Sequence, residues 1–175
     1  MPSGIEFSLS SPSLFSPLGL GWSYECDAFS LGCILVEFYT GVALYQTHDN
    51  LEHLAMMEMV MGRMPERFAR KGAAQKTEYF KENYKLDWPP AKATKQSKKD
   101  VKATKALEVC LARIGIVSTH FNSCIQQIIT PGDNYNRAFL DLVRKLLGFD
   151  PADRIRVRDA LKHHYFSTPP PNDYT

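Results

Sequence analysis

The sequence predicts a mostly α-helical fold, and three observations carry that prediction. Between Ser23 and Gly41 apolar residues cover nearly every face of a helix, over a run too long for an ordinary strand. Near the other end, Phe139, Leu142, Val143, Leu146 and Leu147 fall at i, i+3, i+4, i+7 and i+8, the repeat of one helix face. No segment gives a confident strand, and no internal repeat is visible.

Taken in order, residues 1–17 (MPSGIEFSLSSPSLFSP) are rich in Ser and Pro and read as an irregular or disordered leader. Ser23 to Gly41 is a helix with Ser23 as N-cap, Glu25 and Asp27 in the positive first turn, and Gly41 as the stop. Phe29, Leu31, Cys33, Ile34, Leu35, Val36, Phe38 and Tyr39 cover nearly every face, as in a helix at the centre of a larger domain. A second helix fits Asn50–Gly62, opened by Asp49 with Glu52 three residues on and closed by Gly62 and Pro65. Residues 63–105 read as polar and irregular, a basic insert in which Lys92–Lys105 holds six Lys and one acid, Asp100. Residues 106–132 contain VCLARIGIVSTHFNSC, which fits neither period. Asn136–Gly148 is an amphipathic helix, Asp150–Pro151 a turn, and Val157–His163 a short last helix. Residues 167–175 read as a flexible tail.

Charge is unevenly placed. Residues 1–62 hold seven acids and no Lys or Arg, so all 21 cations lie in 63–175. That half could attract acidic partners, although exposed Lys more often makes a solvated surface. No apolar run reaches the ~18 residues of a membrane span, and the first cation is Arg63, so no basic signal-peptide start is present. An intracellular protein is the expectation. The four cysteines, Cys26, Cys33, Cys110 and Cys124, form no C-x-x-C. Cys26 and Cys33, two helical turns or ~10 Å apart, are too distant for a disulfide and read as buried thiols. His163–His164 and His120/Cys124 are too few side chains for a zinc site, so no metal is expected.

Two segments are more specific. Residues 20–62, with EHLAMME at Glu52, His53, Leu54, Ala55, Met56, Met57 and Glu58, closely resemble protein-kinase sequence after the activation segment, and the block resembles the signature of LAMMER or Clk dual-specificity kinases of the CMGC group. Residues 136–166, NRAFLDLVRKLLGFDPADRIRVRDALKHHYF, resemble the end of the same domain, with LDWPP at 86–90 between them. There are departures: Met59 stands where the signature continues with Arg, Phe29 where Trp is common, and His164 where Pro is usual. The resemblance implies a partial kinase large lobe over 18–166 without the N-terminal β lobe, carrying a basic insert at about 63–105 and an atypical one at about 109–124.

It also implies residue roles. Asp27 corresponds to the Asp that holds the catalytic loop, against the plain reading that it complements its helix dipole. Gly32 belongs to the same structural set. Arg154 corresponds to the Arg that pairs with the Glu of an Ala-Pro-Glu motif, but the matching position here is Phe15. Glu52, His53 and Glu58 read most simply as the wet face of their helix, and the signature as support for the lobe. Kinase chemistry needs a Gly-rich phosphate loop, a phosphate-pairing Lys, an H-R-D Asp and a magnesium-holding D-F-G Asp. Gly19-Leu20-Gly21 runs on to Tyr24, His48-Asp49 lacks the Arg, and Gly148-Phe149-Asp150 is D-F-G reversed. No catalytic, cofactor-binding or metal residue is therefore assigned, and these residues alone are expected to be inactive. ATP and Mg, Arg/Ser-rich splicing-factor substrates and a nuclear location are what the resemblance implies for the intact family.

The abrupt leader and Val109–Cys124 suggest an incomplete gene model with a retained intron, against a genuine truncated paralogue. A non-catalytic helical interaction or scaffold module is the alternative function. Nucleic-acid binding by Lys92–Lys105 is disfavoured, because the stretch has neither Arg nor an aromatic residue.

Overall fold

A computed structural model describes Leu18 and residues 24–47, 49–104 and 133–171. These residues form six α-helices: α1 (Glu25–Thr40), α2 (Asn50–Met61), α3 (Glu66–Gln75), α4 (Lys95–Ala103), α5 (Asn134–Leu146) and α6 (Val157–Ala160). Short 3-10 turns cover Thr77–Tyr79, Pro151–Asp153 and His164–Ser167. The only β pairing among the described residues is one antiparallel bridge between Phe80 and Leu86. The mostly α prediction holds.

Helix ends obey local chemistry. α1 stops at Gly41, whose φ of 75° is the left-handed region that glycine tolerates, and its N–H donates to Glu37 O at 2.7 Å. Its start differs from expectation: Tyr24 occupies the N-cap with no side-chain hydrogen bond, while Ser23 lies outside the described residues. Asp49 caps α2 by accepting the Glu52 N–H at 2.8 Å. α5 opens two residues earlier than predicted because Asp133 accepts the Asn136 N–H at 2.7 Å.

Residues 63–105 correct the sequence reading, which took them as irregular. α3 and α4 lie within them, and α4 packs on α2. A polar helix needs little burial when it is capped and docked. Thr94 Oγ1 accepts the Ser97 N–H at 3.0 Å, and Val101, 5% exposed, is its one buried residue. The readings made for residues 1–17, for Val109–Cys124 and for Cys110, His120 and Cys124 lie outside the described residues.

The core forms where α1, α2, α3 and α5 meet, through Phe29, Cys33, Val36, Leu54, Met57, Phe68, Val143 and Leu147. α1 buries one side only: Phe38 is 69% exposed and Ile34 half-buried. Cys26 and Cys33 are buried free thiols, as expected, and burial pushes the Cys33 thiol up to about 12. No described helix is long and apolar enough to cross a membrane.

Gly32 sets how closely α1 meets the end of α5. A Cβ there would sit 2.8 Å from Leu147 Cδ2 and 3.1 Å from Leu146 Cβ. The first contact is a movable methyl; the second is fixed to its helix. Gly32→Ala is therefore expected to cost about 2 kcal/mol by overpacking and to lower Tm by roughly 4–8 °C in a thermal melt. A melt superimposable on the parent would mean that the helices separate freely here.

Candidate functional site

The residues singled out by sequence fall into two linked groups, one around Arg154 and one on α2. Arg154 comes directly after the 3-10 turn at Pro151–Asp153, which Asp150 caps by accepting the Ala152 N–H at 3.0 Å. This turn aims the guanidinium inward, where the residue is 4% exposed. Nε and Nη2 donate to Gly148 O at 3.0 and 2.7 Å, Nη2 reaches Phe149 O at 3.4 Å, and Nη1 donates to Glu25 O at the start of α1. The same group lies 5.2 Å from the centre of the Phe29 ring. A planar fork with five N–H groups can serve several carbonyls at once, which an ammonium on one atom cannot. Burial lowers its pKa to about 10, and Cys26 and Glu25 oppose that shift, so it stays charged at neutral pH. Arg154 thereby ties the loop after α5 to the N-terminus of α1.

Asp27, one turn into α1, is exposed and complements the helix dipole. Gly32 faces α5 as described. Phe15, the position where sequence matching placed the acidic partner of Arg154, lies outside the described residues.

On α2, the seven residues 52–58 are mostly interior. Leu54 and Met57 are fully buried, and Ala55 and Met56 nearly so. His53 corrects the wet-face reading: it is 1% exposed. Its two ring nitrogens and the neighbouring Tyr45 hydroxyl have no hydrogen-bond partner among the described residues, with ring centres 4.9 Å apart. Burial alone lowers the His53 pKa to about 4, so the imidazole is neutral at physiological pH. Glu52 and Glu58 are half-buried and each holds a neighbouring segment. The Glu52 carboxylate accepts the Ser97 hydroxyl of α4, and Glu58 accepts the Met64 N–H at 2.9 Å. α2 is thus a structural hub.

Three features escaped the sequence reading. Ser97 was lost in a stretch taken as an irregular basic insert. Asp150, its side chain 2% exposed, meets Arg67 at 2.7 Å and Lys71 at 3.5 Å from α3. Burial pulls its carboxyl up, but the Ala152 N–H and the Lys71 and Arg67 cations outweigh this and hold it below the usual range. Asp141 joins His163 and His164, with candidate ligand atoms within 4.8 Å of one another. Lys145 already fills that space, its Nζ 2.6 Å from Asp141 Oδ2. His163 Nδ1 accepts the Tyr165 N–H at 3.3 Å, which leaves the proton on Nε2, 2.8 Å from the same oxygen. An ammonium and an N–H converging on one carboxylate make an ion-pair cluster, and a metal would have to displace both.

Comparison with known proteins gives a consistent answer. The protein kinase domain family matches residues 18–166. The chain is 42% identical over 151 residues to serine/threonine-protein kinase AFC3 of Arabidopsis thaliana, covering 86% of this chain and 34% of that protein. It is 36% identical over 150 residues to human dual specificity protein kinase CLK4, covering 85% and 26%. Against dual specificity protein kinase lkh1 of Schizosaccharomyces pombe it is 35% identical over 152 residues, covering 87% and 19%. A solved crystal structure of a kinase domain superposes with a TM-score of 0.69 at 29% identity, covering 87% of this chain and 39% of that one. The chain spans about a third or less of the curated relatives named here.

Proposed function

Because the chain belongs to the protein-kinase family, in its LAMMER/Clk-type branch, we propose that it serves as the helical large-lobe portion of a dual-specificity kinase, a platform for phosphoryl transfer rather than its chemical centre. The observation that carries this reading is the arrangement around Arg154. One guanidinium fixes the loop after α5 to the first turn of α1, where Asp27 presents an exposed carboxylate. In the proposed role, that carboxylate accepts backbone N–H bonds from a catalytic loop and holds it rigid. α2 holds α4 through Glu52 and the segment leading into α3 through Glu58.

The whole protein, on this proposal, transfers the γ-phosphate of ATP to Ser, Thr and Tyr of protein substrates, Arg/Ser-rich splicing factors among them, in the nucleus. That chemistry calls for a phosphate cradle, a Lys and a magnesium-holding Asp. No stretch of these 175 residues spells any of them. Removing one such group costs several powers of ten in rate, and removing all leaves nothing to measure. The purified 175-residue chain is therefore expected to transfer no radiolabelled phosphate from ATP to an Arg/Ser-rich peptide. Turnover that co-purifies with the chain through successive columns and responds to mutation of Asp27 would overturn this reading.

A further inference from the structure

α4 carries an ordered stripe of positive charge that neither the lobe packing nor the kinase reading uses. Lys95, Lys98, Lys99 and Lys102 fall at i, i+3, i+4 and i+7, so they share one helix face of about 100° of arc. Lys92 lies just before the helix, and all five are exposed. The backbone under them is fixed. Thr94 caps the helix, Val101 is buried, and Ser97 bonds Glu52 of α2.

None of these five ammonium groups has a carboxylate within ion-pair distance among the described residues. Asp100, the one acid on α4, accepts instead from Gln96 Nε2 at 2.7 Å. Other helices treat their cations differently: Arg70 pairs with Glu66, Lys145 with Asp141, and Arg67 with Asp150 and Asp153. Like charges three and four apart repel along α4, and an anionic ligand would relieve that repulsion.

From this stripe we propose that α4 is a docking surface for an acidic, Asp/Glu-rich peptide segment of a protein partner. The charges are compact ammonium groups with no guanidinium fork among them, which suits single carboxylates better than bidentate phosphate recognition. α4 has no aromatic residue on which a base could stack, which argues against nucleic acid. From Lys95 to Lys102 the stripe runs ~10 Å, the reach of three or four extended residues. Side chains on one face of such a strand recur every ~7 Å, within the sweep of flexible lysines. The inference stands independently of the kinase assignment.

Fluorescence anisotropy of the 175-residue chain tests it. The probe is a short labelled peptide with Glu at alternate positions, compared with its Gln counterpart and with single-stranded RNA of equal charge. The Glu peptide is expected to bind at low ionic strength and to weaken as salt rises. The K95Q/K98Q/K99Q/K102Q variant should lose at least about tenfold in affinity, a few exposed pairs at once, with its helical spectrum and melt unchanged. If that variant loses its helical spectrum, K98Q/K99Q decides, with a loss of about threefold expected. No binding by the parent, equal binding of the Gln peptide, or full affinity in the folded variants overturns the proposal. RNA binding tenfold tighter than the Glu peptide also overturns it, in favour of a nucleic-acid surface.

Discussion

Arg154→Ala is expected to lower the stability of the folded chain by about 3 kcal/mol, a large part of the ~5–15 kcal/mol that holds a domain together. The side chain is 4% exposed, and its removal strands Gly148 O and Phe149 O in a space water does not readily enter and cuts the tie to Glu25 O, whose helical N–H partner stays in place. Each buried acceptor without a donor costs about 1–3 kcal/mol, not fully additively, and the emptied volume over the Phe29 ring adds to that. Arg154→Lys keeps the charge but offers one nitrogen, which cannot span carbonyls on α1 and on the loop after α5 together. It should recover less than half of the loss. Urea titration with an unchanged m-value is the measurement. An alanine variant within 1 kcal/mol of the parent would show that the fork holds nothing in place.

The second large effect is a pH window set by His53. Its pKa is near 4 in the folded chain, against 6.5 for an unburied histidine. The sign comes from proton uptake. Above about pH 6.5 neither state binds a proton at this site, and His53 imposes no pH dependence. Between about 6.5 and 4 the unfolded chain takes up a proton that the folded chain refuses, so stability falls with falling pH. Over the whole window the loss is about 3 kcal/mol. Below about 4 both states are protonated and this contribution levels off. His53→Leu removes the titrating group together with a ring whose nitrogens have no partner among the described residues. It should be near neutral in stability at pH 7 and much flatter through the window. Denaturant midpoints at several pH values decide it: parallel slopes for parent and variant would rule His53 out as the source.

Whether an element was legible in the sequence depended on how near its partners lie along the chain. α1 and α5 were legible because their apolar residues keep a helical pattern that only burial explains, and Gly41 ends α1 by the left-handed turn expected of it. The Asp49 cap on α2 was legible because it is a bond between near neighbours in the chain. α4 was not. Its one buried residue, Val101, leaves no stripe to detect, and what anchors it is a bond to Glu52, 45 residues away. The one local signal was Thr94 three residues before Ser97, half of a capping box. His53 misled because a polar residue on a partly polar helix reads as wet, and only the packing of Tyr45 and the rest of the core against it reveals otherwise. Arg154 was singled out for a pairing with the Glu of an Ala-Pro-Glu motif, whereas the bonds seen among the described residues run to backbone carbonyls, which no side-chain motif spells.

The tie from Arg154 to Glu25 spans 129 positions of the chain. A ribosome adding ~5–20 residues per second needs roughly 6–25 s to travel from one end of that contact to the other. During that delay the oily side of α1 is already outside the exit tunnel while α5 and the Arg154 turn have yet to be made. Nascent chains of this protein should therefore lean on chaperones after α1 has emerged, and be released only once α5 and the Arg154 turn have followed it.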